Sequence, residues 1–241
     1  MNSLFLAYMA NRQKIVVLTG AGMSAESGLK TFRDSNGLWE GHDVMEVASP
    51  QGFARNPELV LEFYNQRRRQ LLEVQPNEGH KALVQLETAF DVSIVTQNVD
   101  NLHEQAGSSQ IVHLHGELFK VRSIADENYV LDWKKDLVLG DLDTNGHQLR
   151  PHIVWFGEMV PLLETAAYIT QQADILIIIG TSMQVYPAAS LIHYVNPGTP
   201  IYFIDPKPSV NPSNFENLTV IPKTAVDGVP NLVSDLLHNG S

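Results

Sequence analysis

Short, nearly unbroken runs of β-branched and aliphatic residues recur along the chain at 14–19, 92–96, 111–114, 175–179, 201–204 and 218–221. A run with no polar face suits a strand covered by helices on both sides, so these segments predict a parallel α/β sheet. Between them the period changes. Leu59, Phe63 and Leu71 in 57–74, and Leu83, Leu86 and Phe90 in 76–90, fall at helical spacing and predict two helices. The stretch 119–148 differs again, being rich in Asp, Asn, Lys and Gly with Leu131, Trp133, Leu137 and Leu139 as scattered apolar anchors. The expected architecture is therefore a Rossmann-like parallel sheet with helices on both faces plus a smaller inserted domain. Residues 1–30, 85–118 and 150–241 form the layer, 31–84 a loop and helical segment, and 119–149 the small module.

Composition narrows the classes. The 241 residues are 44% hydrophobic and 18% charged, ordinary globular usage that excludes a disordered or coiled-coil chain. With 16 basic against 27 acidic residues the net charge is −11, a surface that repels phosphate backbones, so nucleic acid is not an expected partner. Cysteine is absent, which removes disulfides, thiolate nucleophiles and cysteine-built zinc sites together. The first ten residues lack a basic flank and a long apolar run, and no later segment has the apolar length of a membrane span. A cytoplasmic protein without membrane contact is expected.

Chemistry concentrates at the ends of the predicted strands. Strand 14–19 runs into Gly20-Ala21-Gly22-Met23-Ser24-Ala25-Glu26-Ser27-Gly28, a turn expected to open a helix and present backbone donors to a diphosphate. Ala25 stands where the dehydrogenase G-x-G-x-x-G places its third glycine, which weakens a hydride-transfer reading. Thr96-Gln97-Asn98-Val99-Asp100 follows the second strand, and Leu114-His115-Gly116 ends the third. His113 and His115 lie two apart and share a face, so spacing alone does not decide which could serve as a base near neutral pH.

Taken in order, the glycine-rich turn, Thr31-Phe32-Arg33, Gly37-Leu38-Trp39, Gln97 to Asp100, His115-Gly116, Pro151 to Glu158 and Gly180-Thr181-Ser182 closely resemble the sirtuins, from Lys14 to about Val226. The resemblance implies NAD-dependent removal of acyl groups from protein lysines, with NAD held between a Rossmann-type and a small domain. It assigns NAD contacts to Gly20, Ala21, Gly22, Ala25, Thr31, Phe32, Arg33, Trp39, Gln97, Asn98, Asp100 and His115. The adenosine side falls to Gly180, Thr181, Ser182, Asp205, Pro206, Lys207 and Ala225. His115 becomes the catalytic base, with Asn98 and Asp100 as catalytic partners. Val154, Phe156, Gly157 and Glu158 become the segment that pairs with the substrate peptide by β-augmentation.

Tyr64 and Arg67 match the Tyr-x-x-Arg pair of the sirtuin subclass that removes malonyl, succinyl and glutaryl groups. On a helix the two share a face, so phenol and guanidinium can converge on one distal carboxylate. The run Arg67-Arg68-Arg69 is, read blandly, a solvated helix face. Sirtuins usually carry a zinc on two cysteine pairs; here Ser123 stands where the first thiolate would be, and Asp126, Asp141, Asp143 and His147 form no recurring metal set. No metal is expected, and the module is expected to be held by packing around Tyr129, Leu131, Trp133 and Leu137. ADP-ribose transfer to protein and non-catalytic sensing of NAD or ADP-ribose are the competing functions. A monomer acting on acyl-lysine proteins or peptides is expected.

Overall fold

The computed structural model describes residues 12–29, 38–39, 41–211, 213 and 215–239. In chain order its elements begin with β1 (Lys14–Thr19), the short antiparallel pair β2 (Leu38–Trp39) and β3 (His42–Asp43), and helices α1 (Val44–Val47), α2 (Pro50–Arg55), α3 (Pro57–Leu71) and α4 (Glu78–Leu86). Then come β4 (Asp91–Thr96), α5 (Leu102–Ala106), β5 (Ile111–His113), β6 (Gly116–Ser123), β7 (Val130–Asp132) and β8 (Leu149–Ile153). The chain continues through α6 (Leu163–Gln171), β9 (Ile175–Ile179), β10 (Ile201–Ile204), β11 (Leu218–Ile221) and α7 (Ala225–Asn239).

Six strands form one parallel sheet in the order β11-β10-β9-β1-β4-β5. Alternation along β1 divides the core in two. Ile15 and Val17 join Ile94, Ile177, Leu83 of α4 and Val229 of α7 on one face. Val16 and Leu18 join Leu176, Ile178, Ala166 of α6 and Phe203 on the other. This two-sided burial is why the strands read as unbroken apolar runs. The chain builds β1, β4 and β5 outward, then returns to place β9 on the other side of β1. That reversal opens a crevice at the carboxyl ends of the strands, the usual ligand position in such sheets.

A second, antiparallel sheet, β7-β6-β8, makes the small module. Its central strand begins at Gly116 and its edge strand β8 ends at Ile153, past the expected limits of 119 and 149. Packing supplies part of its cohesion: Leu137 is fully buried with Leu61, Val121 and Leu149, and Tyr129 and Trp133 lie partly against them. Leu131 does not join this core; it lies on β7 with its side chain exposed. Buried polar ties supply the rest. Asn65 of α3 donates from Nδ2 to Leu137 O (3.0 Å) and accepts from Leu137 N (2.8 Å), while Arg68 donates from Nε to Leu118 O (3.1 Å) and from Nη1 to Asn65 Oδ1 (2.7 Å). Burial lowers the Arg68 guanidinium to about 10, so it still carries its charge at neutral pH.

Candidate active site

The crevice is lined from the carboxyl ends of β1, β4, β5 and β9. After β1 the glycine-rich turn does not open an α-helix as expected. It makes two single 3₁₀ turns, Ala21–Met23 and Ala25–Ser27, and Gly28 at φ +100° stops the second. Gly20 and Gly22 are needed because the loop after β9 lies against them. A Cβ on Gly20 would sit 2.8 Å from Gly180 O, and one on Gly22 would sit 2.6 Å from Gly180 Cα. Gly180, at φ +60°, presses back on Gly22 and Met23, so the two loops pack backbone to backbone at the strand ends. α4 is pinned to the first of them through its capping residue: Asn77 Nδ2 donates to Met23 O (2.9 Å) and Ser27 Oγ (3.1 Å).

Gln97, Asn98 and Asp100 leave β4 directly opposite. Gln97 Nε2 donates to Thr181 Oγ1 at 3.3 Å, bridging the two sides. Asn98 Nδ2 donates to Ser24 Oγ at 3.2 Å, and Ser24 in turn hydrogen-bonds Asp100, which also accepts from Leu102 N. Burial raises the Asp100 carboxyl above its ordinary value while these donors hold it down. Ser24, almost wholly buried, is thus a site residue that the sequence reading passed over; its place between Gly22 and Ala25 was the available signal.

The structure separates the two histidines that spacing could not. His113 Nδ1 faces Asn98 O (3.1 Å) and Nε2 faces Glu104 Oε1 (2.7 Å), and both partners only accept. Burial opposes its charge, but the Glu104 carboxylate outweighs burial and raises its pKa, so His113 is a paired, doubly donating ring. His115 Nδ1 faces one carbonyl, Gln97 O, at 3.1 Å, which places the hydrogen on Nδ1 and leaves the Nε2 lone pair available. Burial lowers its pKa, keeping it neutral. Gly116, at φ +82°, follows because a Cβ there would strike His152 O. Beside them runs a buried polar chain absent from the sequence reading: Thr19 Oγ1 donates to Thr96 Oγ1 (2.8 Å) and meets His103 Nε2 (3.1 Å), and His80 lies against His103 with its pKa pushed down by burial to about 4.

On the other side of His115, Val154 N donates to His115 O (2.9 Å) and Phe156 N to Ala48 O (2.9 Å). Gly157 is exposed at φ +91°. The Glu158 side chain is bound within the protein. It accepts from Arg150 Nη1 (2.6 Å), Arg122 Nη2 (3.2 Å) and Trp155 N (2.8 Å), so it holds this segment in place. The Trp155 ring, stacked on Arg150 (3.3 Å), donates from Nε1 to Tyr64 Oη at 3.0 Å.

Tyr64 and Arg67 lie one turn apart on α3, near enough for the Arg67 charge to act on the phenol. Tyr64 is fully buried, and burial raises its phenol pKa. Arg67 lies over the Phe63 ring (3.3 Å) and donates from Nη1 to Phe63 O. Trp39, expected among cofactor contacts, packs on α3 against Phe63 (4.8 Å) and Tyr64 (6.2 Å), beside Arg67 (5.4 Å). Thr31, Phe32 and Arg33 lie outside the described residues. Ala21 and Ala25 sit in the 3₁₀ turns after β1. Ser182, Asp205, Pro206, Lys207 and Ala225 follow β9, precede α7 or begin it at the same sheet edge; Asp205 Oδ1 accepts from Lys207 N (2.7 Å).

Among the described residues one His and carboxylate group brings ligand atoms within 4.8 Å of one another, Glu104, His113 and Glu117. Its members are already paired, His113 with Glu104 and Glu117 with Lys120 (2.7 Å). Asp126, Asp141 and Asp143 are spent on backbone N–H groups of their own loops.

A family model described as the Sir2 family matches residues 20–187. The chain is 58% identical over 229 residues to an NAD-dependent protein deacylase of Helicobacter pylori, covering 95% of this chain and 100% of that one. It is 55% identical to an NAD-dependent protein deacylase of Bacteroides thetaiotaomicron, covering 91% and 96%. The crystal structure of a Sir2 homologue with NAD aligns with a TM-score of 0.85 at 37% identity, covering 100% of this chain and 96% of that one.

Proposed function

Because the chain belongs to the Sir2 family and is an NAD-dependent protein deacylase, we propose that it removes succinyl, malonyl or glutaryl groups from lysines in preference to acetyl. The products are nicotinamide, O-acyl-ADP-ribose and free lysine. The observation that carries the preference is the pair Tyr64 and Arg67 one turn apart on α3, walled by Trp39, Phe63 and Trp155. In such poorly hydrated surroundings an arginine attracts a carboxylate far more strongly than in water, which outweighs the screened net charge of −11.

When bound, NAD supplies the ribose carbon that nicotinamide leaves and the hydroxyls that take the acyl group. The backbone of the two loops that pack together through Gly20, Gly22 and Gly180 at the carboxyl ends of β1 and β9 would hold the diphosphate of NAD. Gln97, Asn98 and Asp100, fixed by Thr181 and Ser24, orient the nicotinamide end. His115 Nε2 accepts a proton from a ribose hydroxyl and later returns it, a task suited to a neutral imidazole whose other nitrogen is anchored on Gln97 O. Val154 to Gly157, which follow β8 and turn beside His115, would meet the substrate peptide with the backbone groups that Val154 N and Phe156 N leave uncommitted.

Mass spectrometry of peptides identical except for acetyl or succinyl on one lysine, with and without NAD, tests this reading. Faster NAD-dependent loss of succinyl is expected. Arg67→Ala should cut the succinyl preference about tenfold or more, and His115→Ala should slow both reactions about 10²-fold to 10⁴-fold. Equal or faster loss of acetyl in the wild type would refute the acidic preference, and a peptide gaining the mass of ADP-ribose would move the assignment to a transferase.

A further inference from the structure

We propose that Trp155 is a positioning residue for acyl selectivity: its indole N–H occupies the Tyr64 hydroxyl oxygen and commits the phenolic hydrogen to the distal carboxylate of the acyl group. The inference rests on the acidic-acyl reading above and adds the residue that orients the phenol.

The indole nitrogen only donates, so across the 3.0 Å contact the Tyr64 oxygen must accept. Tyr64 Oη has no second hydrogen-bond partner among the described residues, and the side chain is fully buried. Its hydrogen is therefore a buried donor without an acceptor, an unfavourable arrangement that a carboxylate oxygen would relieve. Burial also raises the phenol pKa, so the hydrogen stays on the oxygen at neutral pH. Without the indole N–H, the hydroxyl would be free to rotate and to accept instead of donate.

Trp155 is itself held on several sides. Its backbone N–H is fixed on Glu158 (2.8 Å), its ring is stacked on Arg150 (3.3 Å), and Phe53 lies against it (5.3 Å). Arg150 is locked in turn by Glu158 at 2.6 Å. The residue before it, Val154, is hydrogen-bonded to the backbone of His115. One segment thus joins the base at one end to the acyl pocket at the other, through a ring whose polar edge points at Tyr64.

Trp155→Phe keeps an aromatic ring and deletes the N–H; Tyr64→Phe deletes the hydroxyl. With succinyl and acetyl peptides compared on the same enzyme, each single variant should lower the succinyl-to-acetyl ratio of kcat/KM about tenfold, mainly through KM for succinyl. The double variant should lose no more than either single one, because both delete the same interaction. A ring that merely fills space would slow both substrates alike; an unchanged ratio in Trp155→Phe beside a reduced one in Tyr64→Phe, or additive losses, overturns the inference. A wild type without succinyl preference overturns the acidic-acyl reading itself, a result visible before any variant is measured.

Discussion

In β1 every residue after Lys14 is buried and all but Thr19 are aliphatic, whereas between residues 119 and 148 the buried positions are Val121, Ser123, Leu137 and Asp143. The parallel layer is stabilised by interdigitated aliphatic side chains on two faces. The small module has too few of these and is fastened by hydrogen bonds inside a thin apolar seam. Ser123, at the end of β6, hydrogen-bonds Asp143, and Asp143 also accepts from Asn145 N (2.8 Å) and His147 N (2.9 Å). The end of β6 and the 143–147 turn are thus tied by a carboxylate and a hydroxyl. A core made of area tolerates loss at many points, but a seam of a few contacts concentrates its stability in each.

The sharpest way to break that contrast is at Leu137, fully buried in the module's apolar seam. Leu137→Ala should cost about 2–5 kcal/mol in denaturant unfolding, while Leu131→Ala, on the exposed side of β7, should stay within about 0.5 kcal/mol. Similar losses at the two positions would mean that the seam is not where the module is held.

A smaller effect concerns acid. The Ser123 hydroxyl first, with the His147 and Asn145 N–H groups, holds the Asp143 carboxyl down to about 2, against its ordinary 3.8. A carboxyl depressed in the folded state contributes stability that is whole above 3.8 and is lost as pH falls towards 2. Thermal unfolding should therefore fall more steeply between pH 4 and pH 2 in the wild type than in Asp143→Asn. Parallel curves would remove Asp143 from the account.

The same contrast explains what the sequence made legible. Strands buried on both faces announce themselves, and so did the glycine turn and the residues leaving each strand, because backbone approach and chemistry restrict residue types there. Pairwise partners did not. Arg67, Arg68 and Arg69 read as one charged run, yet Arg67 lies on Phe63, Arg68 is buried on Leu118 O, and Arg69 is exposed with Glu62 and Asp136. Trp39 carried a motif but no indication that it packs on α3. Asn65 gave no signal, since a buried asparagine and an exposed one look alike until Leu137 is folded against it. His113 and His115 share a face, and only Glu104, brought round by α5, distinguishes them.

That distinction is central to the mechanism, and it is directly measurable. Titrating the histidine ring nitrogens by NMR should find His113 protonating above 6.5 and His115 below it, with neutral His115 carrying its hydrogen on Nδ1. If His115 instead protonates above His113, or carries its hydrogen on Nε2, then the lone pair assigned to accept the ribose proton is absent and His115 is not the base.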